Sequence, residues 1–378
     1  MNDLDKRKSP PGLSPGSGSP SGLAVGAIPL FNSNCTTDPV KSQSTTCGGT
    51  EDLDKYTSKK QRTFTLADSY ERLGYETKSQ RTRNCGSFLS FAREVKPGLE
   101  MSKARLFWAN FCKDRLCPMC SWRRSVKLFQ NLARIIDVTG TDYTYLLLTL
   151  TVPNVPGDEL RLQIDELLNG FKLFMKYKEI SRICLGWSRT LEVTRNRVKN
   201  TYHPHIHVLI AAPKSYCDSK LYVKHARFLE LWQRAMKDDS IKFVNIKVVK
   251  DFHGEVVDDN QKLMGAVKEV SKYTVKDSDY LYTPNDWELT DEVVQTLATA
   301  LRGRRLHALG GVFKEIAGTL QLQDPETDEV DLTDCDRLNP LGDWLITKMH
   351  WNGMGYSETD VELLDYDTRK KLRKKGLN

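Results

Sequence analysis

The chain has 378 residues, 39% hydrophobic and 28% charged, enough for one large or two ordinary domains with a real core. Its 56 Lys and Arg against 49 Asp and Glu leave a net charge of +7, which permits a polyanionic partner without demanding one. The most apolar run, Tyr145–Val152, is short and carries two threonines, which excludes a membrane span. Gly22–Phe31 lacks the basic start and small-residue cleavage site of a signal peptide. Nine cysteines, an odd count with three of them inside nine positions, favour a reduced compartment and a metal over disulfides.

Ser9–Gly22 is Ser, Pro and Gly with a single Leu, and polar sequence continues to about Thr50. Such a stretch buries too little apolar surface to offset its chain entropy, so residues 1–60 read as a disordered Ser/Pro/Gly-rich tail. Cysteine spacing is the next signal. Cys112, Cys117 and Cys120 stand as C-x4-C-x2-C, with Cys85 upstream in Asn84-Cys85-Gly86. Four thiolates form a closed tetrahedral Zn²⁺ site, structural because no position stays open, and this defines a zinc-binding element over 80–130. Arg115, Arg123, Arg124 and Lys127, interleaved with Trp108 and Trp122, suit phosphate contact and base stacking and are the expected DNA contacts.

Strand and helix patterns then alternate. Asp142–Val152 reads as a strand with Leu146, Leu148 and Leu150 on one face, and Glu159–Tyr177 follows with helical spacing. Trp187–Thr194 and His203–Ala211 read as strands joined by the polar Arg195–Thr201, which suggests a hairpin. Leu221–Met236 looks helical, Phe243–Val249 strand, Leu263–Asp277 and Asp291–Leu301 helical, leading into Leu306–Phe313. The fold class is therefore α+β with antiparallel pairs in the sheet.

The strand around His203 carries the sharpest chemistry. Alternate side chains share a strand face, so His203, His205 and His207 project together while Ile206, Val208 and Ile210 point into a core. Imidazoles two residues apart can reach one cation, and an oxygen ligand beside them suits Mg²⁺ or Mn²⁺. Glu192, on the polar parity of the preceding strand, is placed to complete the shell, although an ordinary solvated glutamate reads the same way.

In the helical pattern that follows, Glu269, Tyr273 and Lys276 stand at i, i+4 and i+7, on one face. A tyrosine hydroxyl beside a metal-polarised phosphate can attack it and form a phosphotyrosine. Glu269 could then deprotonate a water, and Lys276 could offset charge on the transferring group. An amphipathic surface gives the same stripe, and Tyr280 and Tyr282 are rival nucleophiles. The chain closes with Arg369–Lys375, a basic run that a solvated tail or a phosphate-binding segment would both carry.

With these pieces in order, the chain resembles the replication initiators of bacterial rolling-circle plasmids, in the HUH (His-hydrophobe-His) endonuclease superfamily. The resemblance rests on Phe111–Arg124 (FCKDRLCPMCSWRR), Leu147–Asn154 (LLTLTVPN), Leu191–Thr194 (LEVT), Tyr202–Leu209 (YHPHIHVL) and Glu269–Tyr280 (EVSKYTVKDSDY), with Arg302–Glu315 as a late segment. It implies a ferredoxin/RRM-like HUH fold, with the histidines on a central strand of an antiparallel sheet. The endonuclease domain would span 140–315, and 316–378 would form a C-terminal segment with the basic tail. The resemblance makes His205 and His207 the metal ligands and Tyr273 the residue that nicks one strand at the plasmid origin. That leaves a 5′-phosphotyrosine and a 3′-OH primer, and Glu269 is the acid residue of termination. It also implies single-stranded or hairpin origin DNA as substrate, a host helicase and polymerase as partners, no membrane, and the bacterial cytoplasm as location. Conjugative relaxases and HUH transposases share the chemistry. From other classes, a histidine-triad nucleotide hydrolase fits the histidine strand and a non-enzymatic zinc DNA-binding protein fits the cysteines.

Overall fold

The computed structural model describes residues 50–96, 100–249, 259–282, 286–338 and 342–364. In chain order the elements are α1 (Thr50–Arg72), α2 (Glu76–Asn84), β1 (Phe88–Val95), β2 (Arg105–Ala109), α3 (Pro118–Thr139), β3 (Tyr143–Thr151) and α4 (Leu160–Phe174). There follow α5 (Lys178–Ser181), β4 (Gly186–Asn196), β5 (Thr201–Pro213), α6 (His225–Met236), β6 (Val244–Val248) and α7 (Asp259–Val270). The chain then forms α8 (Trp287–Leu301), β7 (His307–Gly311), α9 (Val312–Thr319), β8 (Asp343–Trp351) and β9 (Tyr356–Leu364). The α+β expectation holds, and both sheets are antiparallel throughout.

The five-stranded sheet runs β6-β3-β5-β4-β7. Alternation sorts each strand onto two faces. Leu146, Leu148 and Leu150 of β3 and Ile206, Val208 and Ile210 of β5 enter the larger core with α4, α6 and α8. Tyr145, Leu209 and Ala211 turn the other way, into a second core with α3, α7 and α9. On the first face α4 and α6 pack through Phe174 and Trp232, whose rings meet edge-on at 5.8 Å. Gly170 permits that approach, since a β-carbon there would lie 2.2 Å from the Met236 sulfur.

The second sheet, β2-β1-β8-β9, joins the cysteine region to the far C-terminal part of the chain. The C-terminal segment thus supplies two strands that complete a sheet with β1, while the basic run Arg369–Lys375 lies outside the described residues. Residues 50–60, expected in the disordered tail, are corrected to the opening turns of α1. This helix packs Tyr56 edge-on against Phe91 at 5.3 Å and Trp122 at 4.8 Å. The rest of the expected tail, residues 1–49, lies outside the described residues.

Candidate active site

β5 runs between β3 and β4, and its site face is the one turned toward α7. In register, His205 stands between Thr151 and Glu192, and His207 between Thr149 and Thr190. The two imidazoles therefore share the parity of Leu209 and Ala211, at the end of the sheet where α7 finishes. The Glu192 Oε2 lies 2.9 Å from His207 Nε2 and 3.3 Å from His205 Nε2. These lengths match the edge of a coordination polyhedron with metal–ligand bonds of about 2.1 Å. His205 Nδ1 sits 3.2 Å from the His203 carbonyl and His207 Nδ1 3.3 Å from Thr149 Oγ1. Donation through Nδ1 leaves both Nε2 atoms to converge on one point. The set fits a divalent cation, with Glu192 as the oxygen ligand that the sequence left open. His203 is stacked behind His205, ring centres 5.2 Å apart, and does not join the group. Burial would raise the Glu192 carboxyl, but the two imidazoles overcome that and hold it far below the usual carboxylate range.

The tyrosine helix needs correction. α7 ends at Val270, so Glu269, Tyr273 and Lys276 do not share a helical face. Ser271 bonds back to the Val267 carbonyl at 2.6 Å, and Thr190 Oγ1 on β4 takes the Val270 carbonyl at 2.5 Å. The chain then leaves the helix and runs along β4, where the Val193 amide donates to the Thr274 carbonyl at 2.7 Å. Local bonds and a sheet neighbour thus outcompete further helix.

Glu269 nevertheless reaches the site, with Oε1 3.9 Å from His207 Nε2. Lys276 is exposed beyond the turn, and the lysine beside Glu269 is Lys272, at 2.6 Å. Tyr273 is partly buried, and its hydroxyl forms no hydrogen bond among the described residues. Burial, with the charges of Asp277 and Glu192, raises its phenol, and Lys272 opposes them. The rivals are occupied: the Tyr280 hydroxyl is buried on the Leu116 carbonyl, and Tyr282 donates to Asp279 and accepts from Arg195. Lys59 of α1, unmarked by the sequence, places its ammonium 5.5 Å from the Tyr273 ring centre and 2.8 Å from Asp277.

The cysteine group is also assembled. Cys85 closes α2, Cys112 follows β2, and Cys117 and Cys120 open α3, whose Pro118 suits a first helical turn. The Cys85–Cys120, Cys85–Cys117 and Cys112–Cys120 sulfur separations are 3.5, 3.6 and 3.7 Å, and all four thiols are buried and free of disulfides. A tetrahedron with metal–sulfur bonds of about 2.3 Å has edges of about 3.8 Å, so the donor set fits a closed metal site. Amides add support, the Lys113 N–H donating to Cys120 Sγ at 3.2 Å and the Cys112 N–H to Cys85 Sγ at 3.4 Å. Burial pushes the Cys85, Cys117 and Cys120 thiols up, whereas Cys112 is drawn down by hydrogen bonds from its three neighbours.

The four expected DNA contacts are turned to internal use. Arg123 and Lys127 are buried, Arg123 pairing with Asp334 at 3.2 Å and Lys127 with Asp336 at 2.9 Å. Arg124 donates to the Pro325 and Lys113 carbonyls, and Arg115 to those of Leu301 and Arg304. Apart from Lys113, their partners lie some 200 residues away in sequence, so local reading sees only a basic helix.

Comparison with known proteins locates this arrangement. The Replication protein family model matches residues 103–357. The chain belongs to this family. It is 39% identical over 290 residues to "Protein rep" of Bacillus amyloliquefaciens, covering 71% of this chain and 82% of that one. It is likewise 39% identical over 277 residues to "Protein rep" of a Bacillus species, covering 69% and 89%. A third relative, "Protein rep" of Streptococcus pneumoniae, is 36% identical over 278 residues, covering 72% and 81%. No solved structure matches. Membership bears out the resemblance to plasmid replication initiators and gives no support to the relaxase, transposase, histidine-triad or non-enzymatic readings. No helix among the described residues is long and apolar enough to cross a membrane.

Proposed function

We propose that this replication-family protein nicks one strand at a plasmid origin through Tyr273, in the bacterial cytoplasm, and so starts rolling-circle synthesis. The observation that carries this reading is the convergence of Glu192, His205 and His207 on one point, with Glu269 3.9 Å from His207 and the Tyr273 segment tied along β4. The path β3-α4-β4-β5-α6-β6 with spatial order β6-β3-β5-β4 is that of a ferredoxin-like sheet, which supports an HUH endonuclease unit over 140–315.

Glu192, His205 and His207 would hold Mg²⁺ or Mn²⁺, which when bound polarises the scissile phosphate. Tyr273 Oη forms the new bond to phosphorus and its proton passes to solvent. The 3′ oxygen leaves as the P–O bond breaks and takes up a proton, giving a free 3′-OH to prime a host polymerase behind a host helicase. The 5′ phosphate stays on Tyr273. In termination Glu269 removes a proton from water, whose oxygen attacks the same phosphorus and returns the phenol. Lys272, paired with Glu269, takes the charge-offsetting role that the sequence gave to Lys276. Cys85, Cys112, Cys117 and Cys120 would hold Zn²⁺ as a structural ion within the element over 80–130.

The test is a covalent adduct on labelled single-stranded origin DNA with Mn²⁺. The adduct is expected for the native chain, absent with EDTA and absent in Tyr273→Phe, whereas Glu269→Ala nicks normally and fails only to release the finished strand. An adduct surviving Tyr273→Phe would overturn the assignment.

A further inference from the structure

Lys60 is a buried lysine whose position the function above does not use. It lies on α1, fully shielded from solvent, and its ammonium donates to the Arg83 carbonyl at 2.6 Å, the Cys85 carbonyl at 2.9 Å and Ser87 Oγ at 3.0 Å. All three acceptors are neutral, and among the described residues no carboxylate pairs with it. An uncompensated buried cation is costly, since desolvation takes several kcal/mol that only an opposite charge repays. Its bond to the Cys85 carbonyl sets the ammonium beside the four-sulfur group of Cys85, Cys112, Cys117 and Cys120. Four thiolates around one divalent cation carry a net charge of about −2, which is the compensation that Lys60 lacks otherwise.

The neighbouring residue points to the other site. Lys59 sits over the Tyr273 ring and pairs with Asp277, and Arg62 pairs with the same carboxylate at 2.9 Å. Consecutive lysines on one helix thus address two centres, Lys60 the cysteine group and Lys59 the tyrosine.

We propose that Lys60 is the counter-charge of the metal-loaded cysteine site, and that this site thereby holds α1, and Lys59 with it, against the tyrosine segment. Loss of the metal, with the freed thiolates taking up protons from solvent, removes the negative centre, leaves Lys60 buried without compensation and loosens α1. Lys59 and Arg62 then withdraw from Asp277 and Tyr273. The first half concerns metal and helix alone; the second rests on Tyr273 being the nucleophile.

The experiment uses the full chain loaded with zinc. Zinc retention against a chromogenic chelator and hydrogen exchange over residues 53–72 are measured for the native protein, for Lys60→Met and for the native protein stripped of zinc. Lys60→Met is expected to hold zinc about tenfold less tightly, the scale of losing a residue that supports a metal's ligands. Exchange in α1 should rise in both the variant and the stripped protein, with β3 and β5 unchanged. Equal zinc retention in Lys60→Met, or full α1 protection after stripping, would overturn the proposal. Should Lys60→Met fail to fold, the stripped native protein decides alone. For the second half, Lys59→Gln should slow adduct formation while zinc content stays native; an unchanged rate refutes it. An adduct that survives Tyr273→Phe would sink the nucleophile and this second half, while the zinc and exchange results would still judge the first.

Discussion

Two candidate metal groups lie in one chain and differ in openness. The four cysteines enclose their centre with four ligands of one kind, all buried, and nothing is left for a substrate. Glu192, His205 and His207 supply only three ligands, mixed nitrogen and oxygen, with the Glu269 carboxylate 3.9 Å from His207. A closed set of soft ligands suits a permanent structural ion, and an open set suits an exchangeable hard one at which a reaction can occur. On the proposed function, the protein would divide metal use between holding its shape and doing its chemistry.

That division can be broken most directly by removing one ligand from each group. His207→Ala should lower adduct formation by about 10²–10³-fold, the range typical for losing one stabiliser of developing charge, and leave the melting temperature nearly native. Cys117→Ser should do the reverse in emphasis, shedding zinc and lowering the melting temperature. If both variants lost activity with equally intact folds, the division would fail.

The next effect is on stability. Arg123 ties the helix that carries two of the cysteines to Asp334 and to the Leu332 carbonyl, 2.8 Å away. Arg123→Met leaves the Asp334 charge buried and should cost about 3–5 kcal/mol in urea unfolding. A change below 1 kcal/mol, about the worth of an exposed pair, would instead mark Arg123 as a surface cation free for phosphate. The same pair predicts a pH dependence. Burial pushes the Asp334 carboxyl up, but Arg123, Gln130 and the Leu106 amide more than offset this and hold it below its ordinary value. A carboxyl depressed in the fold stabilises it above the unfolded value of about 3.9, and that stability is lost as pH falls through the lower folded value. The difference in stability between native protein and Asp334→Asn should thus be full at pH 7 and shrink below about pH 4.

The smallest contrast is between two lysines. Lys272→Ala should slow strand release about tenfold, as expected when a cation beside an acid–base group is lost, whereas Lys276→Ala should stay within about twofold. The opposite ranking would restore the helical stripe.

The legible parts of the sequence are those governed by short periods. Alternation along β5 gave the shared face of His205 and His207, and hairpin parity placed Glu192 opposite His205. Cysteine spacing gave the second group, with Cys85 included. What escaped depends on partners remote in sequence. Helical spacing continued through Tyr273, but Thr190 of β4 captures the end of α7. Arg123 and Lys127 read as DNA-facing because Asp334 and Asp336 lie about 210 residues on. Helix α1 was missed for a related reason. Its buried stripe runs Tyr56, Lys60, Thr63, Ala67 and Tyr70, and the two polar members hide a heptad-like pattern until their acceptors are known.

The position of β1 between β2 and β8 bears on how a working fragment could be cut. Trimming to the family match, residues 103–357, would remove β1, Cys85, α1 and most of β9 together. Such a piece would retain the three ligands of the open group on an intact five-stranded sheet. It would lack a central strand of the other sheet and one corner of the sulfur tetrahedron. The span of the family match is thus narrower than the second sheet, and a fragment that keeps both metal groups has to begin upstream of Cys85.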